Sequence, residues 1–193
     1  MKFHTKKFST IIILSLLAFV MTSAVCSAQG GGRSGKTEIY GILETLGGYS
    51  ENVSFFGTTT KFGFDDGFVY GAGLGYNITD NWNLNTDFVF GSQDAYWERR
   101  TSKITESVNV FLWNVNVDYN ILAEPLTPLV SGGLGYAIYS GEEDSIGTCF
   151  TFNIGAGGRW DISDNIFIKA LYRMTWFETN DQDGIYLGVG YMF

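Results

Sequence analysis

Beyond residue 36, bulky apolar residues alternate with small or polar residues along most of the chain, with a period of two. The clearest example is 82–91, where one set of alternate positions holds Trp82, Leu84, Thr86, Phe88 and Phe90. The positions between them hold Asn83, Asn85, Asp87, Val89 and Gly91. Because successive side chains of a strand point to opposite faces, this pattern predicts strands with one apolar and one polar face.

Eight segments carry this alternation or a glycine-rich version of it. They are 39–48, 68–76, 82–91, 111–120, 129–139, 150–161, 166–176 and 185–193. The first has two largely apolar faces, and Glu44 favours an inward orientation of its even positions. Short connections (77–81, 121–127 and 162–165) alternate with longer polar ones (49–67, 92–107, 140–148 and 177–184). This layout predicts an all-β fold: an eight-stranded antiparallel up-and-down transmembrane β-barrel, or meander.

Alternation alone does not tell whether the apolar faces point to lipid or into a soluble core. Aromatic residues of the apolar faces lie near the strand ends, as in membrane girdles: Trp82, Tyr119, Trp160 and Phe193 at one end, Phe90, Tyr139, Phe150 and Trp176 at the other. Glycines recur on the polar faces: Gly71, Gly73, Gly75, Gly155, Gly157, Gly188 and Gly190. Small residues suit the narrow interior of an eight-stranded barrel. We therefore expect the apolar faces to contact lipid.

The charged residues of the polar faces fix this orientation. Turning the seventh strand over would place Lys169 and Arg173 in lipid, at roughly 2–4 kcal/mol each near the midplane. Facing inward, they are expected to pair with acidic residues: Asp87, Asp118, Asp161 or Glu44. Together with Arg159 these groups form either an ion path or a salt-bridge network that fills the lumen. The network is favoured because eight strands leave little room.

The first 28 residues are predicted to be a signal peptide rather than part of the fold. Three lysines precede an apolar run at 11–20, and small residues follow up to Ala28. We expect a signal-peptide helix over 1–28, a flexible leader over 29–36 and the barrel over 37–193. Lipid attachment at Cys26 is the alternative, which Val25 disfavours because lipoprotein signals prefer a small residue there.

Charge and composition exclude several functions. Removing the signal takes away three lysines and no acid, so the net charge changes from −8 to −11. Such an acidic chain is poorly suited to binding nucleic acid. The one histidine, His4, lies in the signal, so His-dependent hydrolysis has no base in the mature chain. Cys149 is then the sole cysteine, and we expect it to be inert.

No catalytic, cofactor-binding or metal-binding residue is predicted, and the loops offer only weak candidates. Acidic loop residues could supply oxygen ligands to Ca²⁺, although a solvated anionic surface is favoured: Glu142, Glu143, Asp144, Glu178, Asp181 and Asp183. Arg99, Arg100 and Lys103 are candidates for contacts with lipopolysaccharide phosphates, and the alternative is that they are simply solvated.

Four segments together resemble the outer-membrane protein β-barrel domain family, which includes opacity-type porins and small surface barrels. They are GAGLGYNITDNWNL from Gly71, PLVSGGLGY from Pro128, NIGAGGRWDISDN from Asn153 and the terminal GVGYMF. The resemblance covers the mature chain and implies its fold and its location in the bacterial outer membrane. It also implies that the strand ending at Phe193 is recognised by the outer-membrane assembly machinery. Leu129 departs from the aromatic residue often found after that proline.

The expected function is a structural or surface-interaction role, carried by long extracellular loops, with the short turns periplasmic. A narrow porin-like channel for small solutes is the alternative. A lipid-modifying enzyme and a soluble ligand-binding barrel are less favoured, and we expect the protein not to be an enzyme. The expected partners are outer-membrane lipid, lipopolysaccharide and the assembly machinery, and the expected state is a monomer without cofactors.

Overall fold

The computed structural model describes residues 32–55, 58–99, 102–141, 145–178 and 181–193. The predicted signal peptide and the first leader residues lie outside this part of the chain. The described residues form ten strands: β1 (Thr37–Leu46), β2 (Tyr49–Phe55), β3 (Thr58–Phe64), β4 (Gly67–Asn77), β5 (Trp82–Arg99), β6 (Ser102–Asn120), β7 (Leu126–Ser140), β8 (Ser145–Asp161), β9 (Ile166–Trp176) and β10 (Asp181–Met192). No helix in the described ranges is long and apolar enough to cross a membrane.

Eight of these strands close into an antiparallel barrel, which confirms the predicted fold. The order is β1, β4, β5, β6, β7, β8, β9 and β10, and each strand pairs with its neighbours. The last strand returns to the first, with a register running from Glu38 opposite Met192 to Glu44 opposite Tyr186. Closure pairs the backbone groups of the edge strands, which is what a wall without access to water requires.

The two faces of the wall have the predicted orientation. Along β5, the apolar set is exposed, with Trp82 at 47% and Phe90 at 48%, whereas Asn83 and Asp87 are at most 1% exposed. In β1 the even positions face inward, and the Glu38 and Glu44 side chains are both buried. The outer face of the wall is thus apolar, and the buried polar and ionised groups lie inside.

Aromatic pairs mark both rims of the wall. Trp82 packs on Tyr119 with ring centroids 4.6 Å apart, and Tyr70 packs on Phe90 at 4.8 Å. The girdle assignment of Tyr139 is wrong. Its ring lies inside, packed against the interior cluster, because Phe64 at the end of β3 and Phe177 between β9 and β10 supply it with aromatic contacts there.

The strands at one end run much further than the sequence pattern predicted. We call this end the hairpin end, and the opposite end, with the short connections, the turn end. The polar loop expected at 92–107 is wrong, since β5 and β6 stay paired from Ser92 opposite Asn109 out to Arg99 opposite Ser102. Aromatic and β-branched residues such as Trp97 and Ile104 favour extended structure and outweigh the local charges. Strands also occupy much of 49–67, 140–148 and 177–184.

The hairpin end carries a small sheet of its own. β3 pairs with the distal part of β5, from Lys61 opposite Glu98 to Phe64 opposite Ala95. β2 pairs with β3 over seven consecutive residues without a bulge. We call β2, β3, residues 94–99 and residues 102–107 the projecting sheet. Among the described strands, β2 has only β3 as a neighbour, so it forms one edge of this sheet. Residues 102–107 of β6 pair only with β5 and form the other edge.

Candidate functional site: the filled lumen and the projecting sheet

Every charged group predicted for the lumen lies inside the barrel and is paired. Arg173 bridges two carboxylates: Nη1 is 3.3 Å from Glu44 Oε2, and Nη2 is 3.3 Å from Asp87 Oδ2. The remaining pairs are Lys169–Asp118 at 3.3 Å, Arg159–Glu38 at 2.8 Å and Arg159–Asp161 at 2.8 Å. The predicted inward orientation and acidic partners are confirmed. Glu38 was not anticipated, since its strand gave the weakest pattern.

Aromatic rings surround the buried cations. The Lys169 amine is 4.0 Å from the Tyr40 ring centroid, and the guanidinium carbon of Arg173 is 4.0 Å from that of Tyr186. Tyr40 also donates its hydroxyl hydrogen to Asp87 Oδ1 at 2.7 Å. A ring face and a carboxylate together replace part of the hydration that a cation loses on burial.

A chain of asparagine amides joins the ion pairs along the lumen. Starting from Glu38, the hydrogen bonds are Asn77 to Glu38 (2.7 Å), Asn83 to Asn77 (3.2 Å), Asn85 to Asn83 (2.9 Å), Asn116 to Asn85 (3.1 Å) and Asn116 to Asp87 (3.0 Å). Each amide carries both donors and an acceptor, so it can relay bonds between neighbours. The lumen is therefore occupied by mutually bonded side chains.

The inward glycines make room for this filling, as predicted. A Cβ atom at Gly73 would lie 2.2 Å from the Tyr40 ring, and one at Gly135 would lie 2.2 Å from Asn114 Oδ1. Such contacts are impossible without moving the neighbour. Glycine at these positions lets large interior side chains lie over the neighbouring strand, since Gly73 is paired with Tyr40 and Gly135 with Asn114.

Toward the hairpin end the interior becomes apolar. Buried side chains from five barrel strands and one connection meet there: Leu46, Val69, Val89, Val110, Leu112, Ala137 and Phe177. Cys149 is half-buried and packs against this cluster. The polar network therefore runs into an apolar layer before it reaches the projecting sheet.

At the turn end of the barrel, the Arg33 side chain bonds to groups of the short turns and to Asp161. Its Nε lies 2.5 Å from Asp161 Oδ2, Nη1 donates to the Asp80 carbonyl at 2.8 Å, and Nη2 donates to the Glu124 carbonyl. Asp80 and Glu124 belong to two different short turns. Only 2% of Arg33 is exposed, so the expectation of a flexible leader is wrong for this residue. The reason is that turn carbonyls and a carboxylate converge on one guanidinium.

The projecting sheet has two chemically different faces. On the face that continues the interior of the barrel, Phe62 packs on Trp97 with centroids 5.3 Å apart and on Phe64 at 5.6 Å. Trp97 and Ile104 remain 38% and 63% exposed. On the other face, the Lys103 amine lies 4.3 Å from the Tyr96 ring centroid. The sheet thus presents apolar groups on one face and a buried tyrosine with cations on the other.

The loop residues proposed for Ca²⁺ do not form a site among the described residues. No group of three or more His, Cys, Asp or Glu side chains able to hold a metal ion is found there. Glu142, Glu143 and Asp144 lie outside the described residues. Glu178 and Asp181 are exposed, and Asp183 accepts a hydrogen bond from the Tyr172 hydroxyl. A solvated acidic surface agrees with this arrangement.

Two of the basic loop residues, Arg99 and Lys103, lie near each other in the β5–β6 hairpin, where Arg99 is opposite Ser102 and Lys103 is opposite Glu98. Arg99 is exposed at the end of β5, and Arg100 lies outside the described residues. Lys103 pairs with Asp65 at 3.2 Å, a half-exposed ion pair. The structure brings no second described cation into contact with Asp65. The proposed contact with lipopolysaccharide phosphates stays a prediction.

Besides Glu38, Arg33 and the projecting sheet are the features that sequence reasoning missed. The signal for the sheet was present, because Tyr96, Trp97 and Ile104 are strand formers in a segment read as polar. The signal for Arg33 was not, since one arginine between glycine and serine indicates a solvated leader.

An apolar outer wall, a closed ladder and a polar, ionised interior together define a transmembrane β-barrel of the outer-membrane type. The chain belongs to the outer membrane protein beta-barrel domain family, whose profile matches residues 12–193. Its location is therefore the bacterial outer membrane. No curated protein matches the chain significantly.

Several solved outer-membrane proteins share this fold. The N-terminal β-barrel domain of Pseudomonas aeruginosa OprF is 20% identical with a TM-score of 0.55, covering 83% of this chain and 98% of that one. P. aeruginosa OprG is 12% identical with a TM-score of 0.63, covering 84% and 98%. Neisserial surface protein A is 17% identical with a TM-score of 0.59, covering 84% and 100%. At these identities the likeness concerns the fold alone.

Proposed function

We propose that this protein is a surface-interaction barrel of the outer membrane, with no enzymatic activity, whose contacts are made by the projecting sheet and the neighbouring hairpins. The observation that carries the proposal is the contrast between the two parts of the molecule. The lumen is filled by paired charges and amides, whereas the projecting sheet leaves Trp97 and Ile104 exposed. Exposed apolar groups on a sheet outside the membrane are where a partner would bind.

The extent of the hairpins supports this role. Beyond the rim residue Phe90, β5 continues for nine residues to Arg99, paired with β6 throughout. At about 3.3 Å per residue this extends roughly 30 Å along the strand direction. A barrel that served only to fill the membrane would not need such an extension. In this proposal the hairpin end faces the cell exterior and the turn end faces the periplasm, as is usual in such barrels.

Single-cysteine labelling tests the proposed orientation. In a Cys149→Ala background, Ser102→Cys places a thiol at the hairpin tip, and Ala123→Cys places one in an exposed short turn. A membrane-impermeant maleimide on intact cells should label the first variant and not the second, while both label in lysed cells. Labelling of Ala123→Cys alone on intact cells would contradict the proposed orientation.

The alternative function is a narrow channel, in which the charged side chains of the lumen would line the path of an ion. Arg173 and Lys169 are both paired and surrounded by rings, so an ion entering the lumen would have to displace these partners. We expect the purified protein in planar bilayers to give no steady discrete conductance. Sustained unitary currents would support the channel and count against a filled lumen.

A further inference from the structure

The projecting sheet has a free edge along β2, in a molecule whose described wall strands are all paired on both sides. β2 pairs with β3 on one side, and none of the other described strands pairs with it on the other side. A strand edge presents a row of backbone N–H and C=O groups that can pair with another extended chain. The other edge of the sheet, 102–107 of β6, contains Lys103, a residue type that commonly blocks strand addition, so the β2 edge is the better candidate.

β2 lacks the features that usually protect such an edge. Its sequence, YSENVSF, contains no proline and no lysine, and its pairing with β3 continues through all seven residues without a bulge. Natural edge strands are commonly blocked by lysine, proline or a bulge. The absence of all three within β2 makes its free edge suitable for the addition of a strand.

The residues around the free edge of β2 are acidic, which favours a basic partner chain. Glu51 lies in β2 itself, Asp66 lies between β3 and β4, and Asp181 begins β10; all three are exposed. Partial burial, a hydrogen bond to Glu51 and the charges of Glu51 and Asp181 raise the pKa of the Tyr49 hydroxyl at the start of the strand. The cation of the adjacent strand, Lys61, directs its amine to Tyr96, with 5.6 Å between the amine and the ring centroid.

We propose that the free edge of β2 binds an extended basic peptide segment of another protein by β-strand addition. The backbone of the segment would pair with β2, and its basic side chains would meet Glu51 and the neighbouring aspartates. A second copy of this chain is a poorer occupant, since it would bring an acidic edge against an acidic edge. The inference rests on the proposed surface role and deepens it by naming the partner's chemistry.

The test uses the mature protein in zwitterionic micelles and a capped seven-residue peptide that alternates valine and lysine. Hydrogen exchange followed by mass spectrometry should show slower amide exchange in 49–55 when this peptide is added. The same peptide with glutamate in place of lysine, or with a central proline, should not slow exchange there. Protection confined to the lysine peptide supports strand addition by a basic chain.

Two charge-reversal variants sharpen the test. Glu51→Lys should weaken peptide binding about tenfold, because it replaces the attractive carboxylate within the edge. Glu124→Lys makes the same change in net charge at an exposed position of the turn end and should leave binding unchanged. If both variants weakened peptide binding equally, net charge alone would explain the effect, and the proposal would be overturned.

Other outcomes also overturn it. No protection of 49–55, or equal protection by the glutamate or proline peptide, would rule out a basic added strand. Protection that appears without peptide and grows with protein concentration would identify a second copy as the occupant. If the peptide gives no protection but Ser102→Cys is labelled on intact cells, strand addition is excluded and the surface role is not. If Ser102→Cys is not labelled on intact cells, both the surface role and strand addition lose their basis.

Discussion

At the scale of single residues, buried ion pairs stabilise the interior of the barrel. Lys169 is 1% exposed, with its amine 3.3 Å from Asp118 and 4.0 Å from the Tyr40 ring centroid. Removing one member of a buried pair leaves the other charge without compensation, which costs more than the pair contributes. The position of each charge, and not only its sign, therefore matters for stability.

We expect Lys169→Met to lower the free energy of unfolding by about 3–5 kcal/mol, because Asp118 remains buried and unpaired. Adding Asp118→Asn should restore a large part of the loss by removing that charge. The measurement is equilibrium urea unfolding in lipid vesicles, followed by tryptophan fluorescence. Lys103→Met, at a half-exposed ion pair, is the control and should change stability by about 1 kcal/mol or less. A double variant no more stable than the single one would contradict the pairing.

Arg33 gives a second prediction at this scale. Arg33→Ala removes one buried ion pair and the bonds to three turn carbonyls, and Asp161 keeps Arg159 as a partner. We expect a loss of roughly 2–3 kcal/mol and faster amide exchange in 121–125. Ser34→Ala, at the exposed neighbouring position, should leave that exchange unchanged. Unaltered exchange in Arg33→Ala would mean that the leader does not fasten the turns.

Among the elements, β6 shows how one strand serves two environments. From Phe111 to Val117 its alternate residues are exposed on the apolar wall, while Asn114 and Asn116 are buried in the lumen. Further out, the same strand continues into the projecting sheet. The backbone ladder is continuous, and only the side chains change with the surroundings.

The depth dependence of this wall is testable on β6. Val115 lies midway between the rim residues Phe111 and Tyr119 on the outward face. Val115→Arg should reduce the free energy of folding into vesicles by about 2–4 kcal/mol, and Tyr119→Arg, at the rim, by about 0–1 kcal/mol from the charge itself. The comparison requires reversible urea titrations of both variants. Equal costs at the two positions would argue against a lipid-facing wall.

At the scale of the whole molecule, closure and interior pairing act together. The ladder between β1 and β10 leaves no wall strand unpaired among those described, and the lumen network links strands distant in sequence. Arg173 and Glu44, for example, are 129 residues apart. Opening the barrel would expose backbone groups and buried charges at once, so unfolding should be highly cooperative.

A gel assay examines this cooperativity directly. We expect the unheated protein to stay closed in SDS and to migrate at a different position from the boiled sample, because detergent does not readily break a closed ladder. Truncation of the projecting sheet, replacing 94–107 by a short turn, should preserve the shift, since these residues lie outside the wall. A single band position before and after boiling would contradict a detergent-resistant barrel.

The sequence anticipated the wall in detail because its information is local. A period of two, the glycine-rich inner faces and the inward positions of Lys169 and Arg173 follow from which solvent each side chain must meet. Eight wall strands, their order and their orientation could all be inferred in this way. The error at Tyr139 came from reading an aromatic near a strand end as a girdle residue.

What the sequence by itself determined is which side chains point to lipid and which point inward, since strand geometry and solvent preference decide that residue by residue. Only the tertiary structure decided which inward groups meet: Arg173 with Glu44 and Asp87, Arg159 with Glu38, and Arg33 with the short turns. It also decided that the polar connection between β5 and β6 continues as paired strand. These contacts depend on barrel closure, which brings residues far apart in sequence within hydrogen-bonding distance. The alternation pattern of a single strand does not predict them.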